Sequence, residues 1–358
     1  AWPPTSARLE ALGAAITYEH RPENVEGASL IVRTAAVHDE NPEIVRAHEL
    51  GIPVMERAEA WGHIMRDYDN VVCLSGTHGK TTSTSMMTMM TIEAQMDPTV
   101  MVGSNLPAIG GTLRIGGKGC FVAESCEYTN SFLRFAPTVS VILNVEEDHL
   151  DFFKDINDII HSFHEFAELT PMNGLVVVNH DDPNAMRAVA HIDRRIRTFG
   201  TTSDADVYPT EVRDENGYYR FTVNIDGKEY AKVALSVPGR HNMLNALACC
   251  AAAEFLGVPG EAAERGLNKF TGSSRRFQLV GKMPNGATVV DDYAHHPSEM
   301  KATLSTAKEM HFDRILCAFQ PHTYTRTKAL FPEFVDALKQ CDQAILAPIY
   351  AAREQNTI

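Results

Sequence analysis

The sequence contains no Cys-x-x-Cys pair, so its seven cysteines do not form a zinc framework. Their number is odd and their spacing irregular, and Cys249 and Cys250 stand side by side in an Ala-rich stretch. That usage points to free thiols in a reducing cytoplasm. No apolar run approaches the roughly 18 residues of a membrane span. The opening AWPPTSARLE has neither the basic nor the apolar region of a signal peptide, so a cytoplasmic location is expected. Positive charge is also short. Lys and Arg number 32 against 46 Asp and Glu, a net charge of −14, which argues against nonspecific binding to nucleic acid or an anionic membrane. Repeats and low-complexity tracts are absent. A composition of 44% hydrophobic and 22% charged residues supports folded cores, and 358 residues suggest more than one domain.

The chain is organised around VVCLSGTHGKTT, residues 71–82. Val71 to Leu74 read as a buried parallel strand, Ser75 and Gly76 break it, and Gly79-Lys80-Thr81-Thr82 opens a helix. Strand, glycine turn and helix form a phosphate cradle, because free backbone N–H groups and the helix dipole favour an anion there. In such a loop Lys80 reaches terminal phosphates and the Thr81 hydroxyl takes Mg²⁺. The loop is shorter than the standard pattern, with Leu74 where a glycine is usual.

Before the loop, helix signals (6–12, from Asn41-Pro42, 58–67) alternate with strand signals (14–18, 30–35, 51–55), the pattern of a parallel sheet. Apolar runs at 119–123, 139–143 and 175–178 extend a central sheet whose strands are covered on both faces. Residues 207–237 alternate and carry Gly turns, as an antiparallel hairpin insert does. Residues 242–255 read as a helix and 272–274 as a linker. Strands at 288–291, 314–319 and 343–347 then alternate with helices at 298–310 and 329–340.

Polar residues gather where these strands end, the edge at which open α/β sheets bind ligands. Glu124 is placed to serve a cation beside Thr81. His149 in DHLD suits a second metal or a phosphate, or is a structural histidine. Asn242 and Asn245 share a helix face and either read a base or cap the helix. Arg276 follows the linker and can clamp a phosphate. Asp292, Tyr293, His295 and His322 lie in polar clusters at strand ends, with Arg326 just beyond.

Taken together, GTHGKTT, NVEEDHLDFF, GRHNMLNALA, RRFQLVG, DDYAHHPSE, AFQPHTYTRT and APIYAAREQ resemble the Mur ligases, in order along nearly the whole chain. The resemblance implies an α/β fold of three domains. Residues 1–68 would form an incomplete Rossmann-like domain for a UDP-sugar. Residues 69–273 would form a central P-loop-type parallel sheet domain for ATP, with the insert near 207–237. Residues 274–358 would form an incomplete Rossmann-like domain for an amino acid. Against the family pattern the opening strand with its Gly-rich turn and the second half of the third domain are missing, so truncation at both ends is expected.

The implied activity is ATP-dependent joining of L-alanine to the carboxylate of UDP-N-acetylmuramate through an acyl phosphate, with Mg²⁺. A ligase that recycles a murein tripeptide, or a nucleotide-binding fragment without turnover, are the alternatives. By resemblance, Lys80, His149, His295 and Arg326 are catalytic. Gly76, Thr77, His78, Gly79, Lys80, Thr81, Thr82, Asn242, Asn245, Arg276 and Asp292 bind nucleotide. Tyr293, His295, His322 and Arg326 bind substrate, and Thr81, Glu124 and His149 hold metal.

Overall fold

In a computed structural model, residues 4–150, 152–352 and 354–356 are described. Asp151 and Arg353, inside two of the motifs above, lie outside them. The backbone divides into a unit ending at Ile64 and another beginning at Met65.

The first unit opens with α1 (Pro4–Ala11). Strand β1 (Ile31–Arg33) pairs in parallel with β2 (Val54–Glu56), with α2 (Pro42–Glu49) between them in sequence. The Asn41 side chain accepts the Glu43 N–H at 2.9 Å, and Pro42 occupies the first turn, so α2 starts where its cap dictates. The strand expected at 14–18 is absent: those residues pair with no strand and are exposed apart from the half-buried Ile16. Helix α3 (Arg57–Met65) follows β2 directly.

The second unit is built on β3 (Val71–Ser75), whose residues are all buried, and α4 (Lys80–Glu93). The sheet continues with β4 (Thr99–Leu106), β5 (Gly111–Arg114), β6 (Phe121–Glu124) and β7 (Val139–Ile142). Helix α5 (Ile156–Glu168) is followed by β8 (Leu175–Asn179), α6 (Pro183–Ala188) and β9 (Ile196–Phe199). Then come β10 (Val207–Glu215), β11 (Tyr218–Ile225) and β12 (Lys228–Ala234). The ten strands lie in the order β12-β11-β10-β9-β8-β7-β3-β6-β4-β5. From β10 to β4 neighbours run parallel, so Ser75, Glu124, Ile142 and Asn179 end at one edge.

The expected hairpin insert is a three-stranded antiparallel meander, joined to the main sheet through β9 and β10. Its turns are Asn216-Gly217 and Asp226-Gly227, all four residues at positive φ, as two-residue hairpin loops require. Helix α7 (Arg240–Phe255) buries residues around most of its circumference, including Cys249 and Cys250. Helix α8 (Gly260–Lys269) packs so close to α4 that a Cβ at Gly266 would sit 2.6 Å from the Met90 Cα.

Beyond the linker, β13 (Gln278–Lys282) and β14 (Thr288–Asp291) form an antiparallel ribbon. Helix α9 (Pro297–Glu309) leads to β15 (Leu316–Phe319), α10 (Tyr324–Ala329), α11 (Phe331–Leu338) and β16 (Gln343–Leu346). Strands β15 and β16 pair in parallel over a small core of Met300, Phe319, Phe334 and Ala337. The helix expected at 329–340 is α11, which starts at Phe331 with Pro332 in its first turn, and a separate helix, α10, ends at Ala329 just before it.

Candidate active site

The turn between β3 and α4 depends on two glycines. Gly76 and Gly79 adopt φ of +143° and +85°. A Cβ on Gly76 would lie 2.9 Å from Leu143 Cβ, and one on Gly79 would lie 2.7 Å from Asn245 Oδ1. Neither position has room for a side chain. The Asn144 side chain holds the loop from the tip of β7. It accepts the His78 N–H at 2.7 Å and donates to the His78 carbonyl at 3.1 Å.

Lys80 Nζ donates to the Gly76 and Thr77 carbonyls at 2.6 and 3.0 Å. It also donates to both carboxylate oxygens of Glu127, at 3.2 and 3.0 Å. Burial disfavours the charged ammonium, but the Glu127 charge outweighs it and the Lys80 pKa is raised. Beside it, Thr81 Oγ1 donates to Glu124 Oε1 at 3.0 Å, and Glu124 Oε2 accepts the Gly103 N–H at 2.6 Å. Hydroxyl and carboxylate oxygens thus meet at the start of α4, a donor set suited to a hard cation.

His149 lies 3.8 Å from Glu127 Oε1 and 3.7 Å from Asp148 Oδ2 through Nε2, at a φ of +54°. Burial lowers its pKa despite those acids. The Tyr128 ring stacks on it at 4.5 Å. Asp148 accepts Arg326 Nε and Nη2 at 3.2 and 3.0 Å. Burial raises the Asp148 carboxyl, but His149 and Arg326 win and bring it down to about 2. Asp148, His149, His322 and Arg326 line a cavity of about 290 Å³ with Leu330 and Glu354.

A second cavity, of about 220 Å³, is lined by His78, Gly79, Thr81, Thr82, Asn242, Asn245, Arg276 and Asp292. Asn245 donates to Asn242 Oδ1 at 3.2 Å, and Asn242 donates to the Pro238 carbonyl at 2.7 Å, so both amides are tied down at the start of α7. Arg276 points at Thr81 Oγ1, 3.5 Å away. Asp292 accepts the backbone N–H groups of Phe277 and Ala294 at 2.8 and 2.7 Å, fixing the turn after β14. Burial raises its pKa.

Tyr293 and His295 line neither of these two cavities. Tyr293 is 43% exposed under the Arg275 guanidinium. The His295 ring lies 6.0 Å from that of His322. Glu127, Asn144, Glu146, Asp148 and Glu299 carry much of the site's bonding, and the motif reading gave none of them a role. Three-dimensional proximity reveals them: Glu127, Asn144, Glu146 and Asp148 lie in the loops after β6 and β7, and Glu299 lies on the first turn of α9.

Three family models cover the chain. The Mur ligase middle domain matches residues 74–253, the Mur ligase glutamate ligase domain matches 275–357, and the Mur ligase family catalytic domain matches 2–69. A UDP-N-acetylmuramate–L-alanine ligase of Agathobacter rectalis is 48% identical over 98% of this chain and 76% of its own length. The crystal structure of UDP-N-acetylmuramate–alanine ligase from Thermotoga maritima superposes with a TM-score of 0.80 at 30% identity, over 96% of this chain and 77% of that one. The UDP-N-acetylmuramate:L-alanyl-γ-D-glutamyl-meso-diaminopimelate ligase of Neisseria meningitides gives 0.69 at 26% identity, over 77% of this chain and 89% of that one. Phosphate loop, strand-tip acids and sequence likeness agree: the chain belongs to the Mur ligase family, with its three-domain α/β fold.

Proposed function

We propose that this chain joins L-alanine to the carboxylate of UDP-N-acetylmuramate at the expense of ATP, in peptidoglycan synthesis. The observation that carries the reading is the meeting of Lys80, Thr81 and Glu124 with His149 and Asp148 at one edge of the central sheet, where Arg326 of α10 bonds Asp148. The 48% likeness to a UDP-N-acetylmuramate–L-alanine ligase supports the choice of substrates. ATP and a UDP-linked substrate also support a cytoplasmic site of action.

Phosphoryl transfer depends on positioning and on neutralising oxygen charge. The N–H groups at the start of α4 and the Lys80 ammonium would hold the ATP phosphates. Asn242, Asn245, Arg276 and Asp292 would hold the nucleoside side. Thr81, Glu124 and His149 would hold Mg²⁺, which when bound neutralises phosphate oxygens; the hydroxyl and carboxylate donors fit that ion. The muramyl carboxylate attacks the terminal phosphorus and ADP leaves. The amine of L-alanine then attacks the acyl carbon and inorganic phosphate leaves. Arg326, oriented by Asp148, would hold a substrate carboxylate with His322 in the same cavity, and His295 and then Tyr293 follow from His322 ring to ring, at 6.0 and 5.1 Å.

The domain limits that fit this division of labour are 1–68, 69–273 and 274–358, supported by the gaps between the family-model spans. Addition of a tripeptide is the second reading, on the 26% likeness to the Neisseria ligase. Phosphate release that requires both UDP-N-acetylmuramate and L-alanine tests the proposal. Release supported by the tripeptide alone would replace it with the second reading, and ADP binding without turnover would reduce it to a nucleotide-binding role.

A further inference from the structure

His78 stands in the phosphate loop, yet its ring faces across to α9. Nε2 lies 3.5 Å from Glu146 Oε2, after β7, and Nδ1 lies 3.5 Å from Glu299 Oε1, on the first turn of α9. Neither nitrogen makes a close hydrogen bond, and both are sealed from solvent. The same joint carries other ties. His296 Nε2 bonds the Glu147 carbonyl at 3.0 Å, Ser298 Oγ donates to Glu146, and Arg276 lies 3.7 Å from Glu299.

His78, Glu146 and His296 are close enough to suggest a cation site. His296, however, spends its second nitrogen on the Ser298 N–H at 3.3 Å, so it has no lone pair to spare. That leaves the His78 imidazolium as the charge between two carboxylates. At its other end α9 meets the meander turn: Tyr219 Oη donates to Glu309 at 3.3 Å. Between these ends Ala302 and Thr303 form one wall of the smaller cavity.

We propose that His78 is a positioning residue that couples the phosphate loop to the docking of α9 by bridging Glu146 and Glu299. This rests on the nucleotide role proposed above for that loop and cavity. The loop's backbone cradles the anion while its side chain holds α9, so the cradle can bind phosphate without the tie, and the tie seats the cavity wall that turnover needs. Burial pushes the His78 pKa down, but Glu146 and Glu299 outweigh it and raise it to about 9. The facing groups are Glu146, Glu299 and the His296 ring, 5.0 Å away. A raised pKa contributes its tie fully below the ordinary value near 6.5 and loses it as pH climbs through about 9.

The test uses the whole chain and the variants His78→Gln and Glu299→Gln. Saturated turnover is expected to fall about ten-fold in each, with ADP affinity changed less than about three-fold. The double variant is expected to be no worse than either single one. Hydrogen exchange across α9 reads the same coupling without turnover: His78→Gln lowers the protection of α9 at pH 7, and in the unaltered chain that protection, corrected for the base-catalysed rise of intrinsic exchange with pH, falls between pH 8 and 10. Glu299→Gln leaves the loop sequence intact and so guards against misfolding at position 78. Weakened ADP affinity with normal saturated turnover, multiplying losses in the double variant, or unchanged α9 exchange would overturn the proposal. Absence of turnover in the unaltered chain counts against the ligase reading and leaves the exchange result standing.

Discussion

Glu127 holds Lys80. The ammonium donates to both carboxylate oxygens, at 3.0 and 3.2 Å, and Glu127 is only 2% exposed. Removing one member of a buried pair strands the other charge, at a cost of about 3 kcal/mol. Glu127→Gln is therefore expected to lower the melting temperature by several degrees. ADP with Mg²⁺ is expected to raise the melting temperature more in the variant than in the parent, because phosphates replace the lost counter-charge. Calorimetric melts with and without ADP check this, and equal shifts would contradict it.

Gly79 sets the start of α4. Its φ of +85° alone disfavours alanine by about 1–2 kcal/mol, and Asn245 Oδ1 stands 2.7 Å from the added methyl. Gly79→Ala is expected to abolish measurable ADP binding while the rest of the sheet stays folded. Titration calorimetry beside a circular dichroism spectrum decides it, and near-normal affinity would show that the loop is not the cradle.

Thr81 and Glu124 present their oxygens side by side. Glu124→Gln is expected to remove the dependence of ADP affinity on Mg²⁺, which should be about ten-fold in the unaltered chain. Thr81→Ser keeps the hydroxyl and should retain the dependence, and Thr81→Ala should lose it. Affinities measured with Mg²⁺ and with EDTA provide the comparison, and a Glu124→Gln variant that still responds to Mg²⁺ would sink the assignment.

Asp148 carries a pH signature. Its carboxyl is brought from 3.8 down to about 2, with burial opposing and His149 and Arg326 prevailing. A depressed carboxylate contributes stability above its ordinary pKa and loses it as pH falls through the folded value. The contribution, about 2 kcal/mol, should vanish between pH 4 and pH 2. Urea midpoints measured across that range should fall less steeply in Asp148→Asn, and parallel curves would refute the pairing with Arg326.

The central strands were readable because they are buried on both faces: Val71–Ser75 and Leu175–Asn179 are uninterrupted apolar runs tipped by polar residues. Strand β4 was not, since Gly103, Ser104 and Asn105 interrupt it and half of it is not buried. Strand β9 hides Arg197, 5% exposed, which pairs with Glu254 on α7 and looks like a surface residue in the sequence. Helix α5 does carry a period and an Asp155 cap, so its signal was present though it formed no part of the motif reading. The phosphate loop announced itself through glycine geometry. Glu127 and Glu299 did not, because an acid becomes part of a site only when the fold sets a partner opposite it, 47 residues away for Lys80 and Glu127.

One measurement reaches the central claim most directly. The chain is incubated with ATP, Mg²⁺, UDP-N-acetylmuramate and an equimolar mixture of amino acids, and the products are weighed by mass spectrometry. A single new species heavier than UDP-N-acetylmuramate by one alanine less water, formed in step with ADP, is the predicted result. ADP without any amide, or an amide formed with a tripeptide and not with alanine, would contradict it.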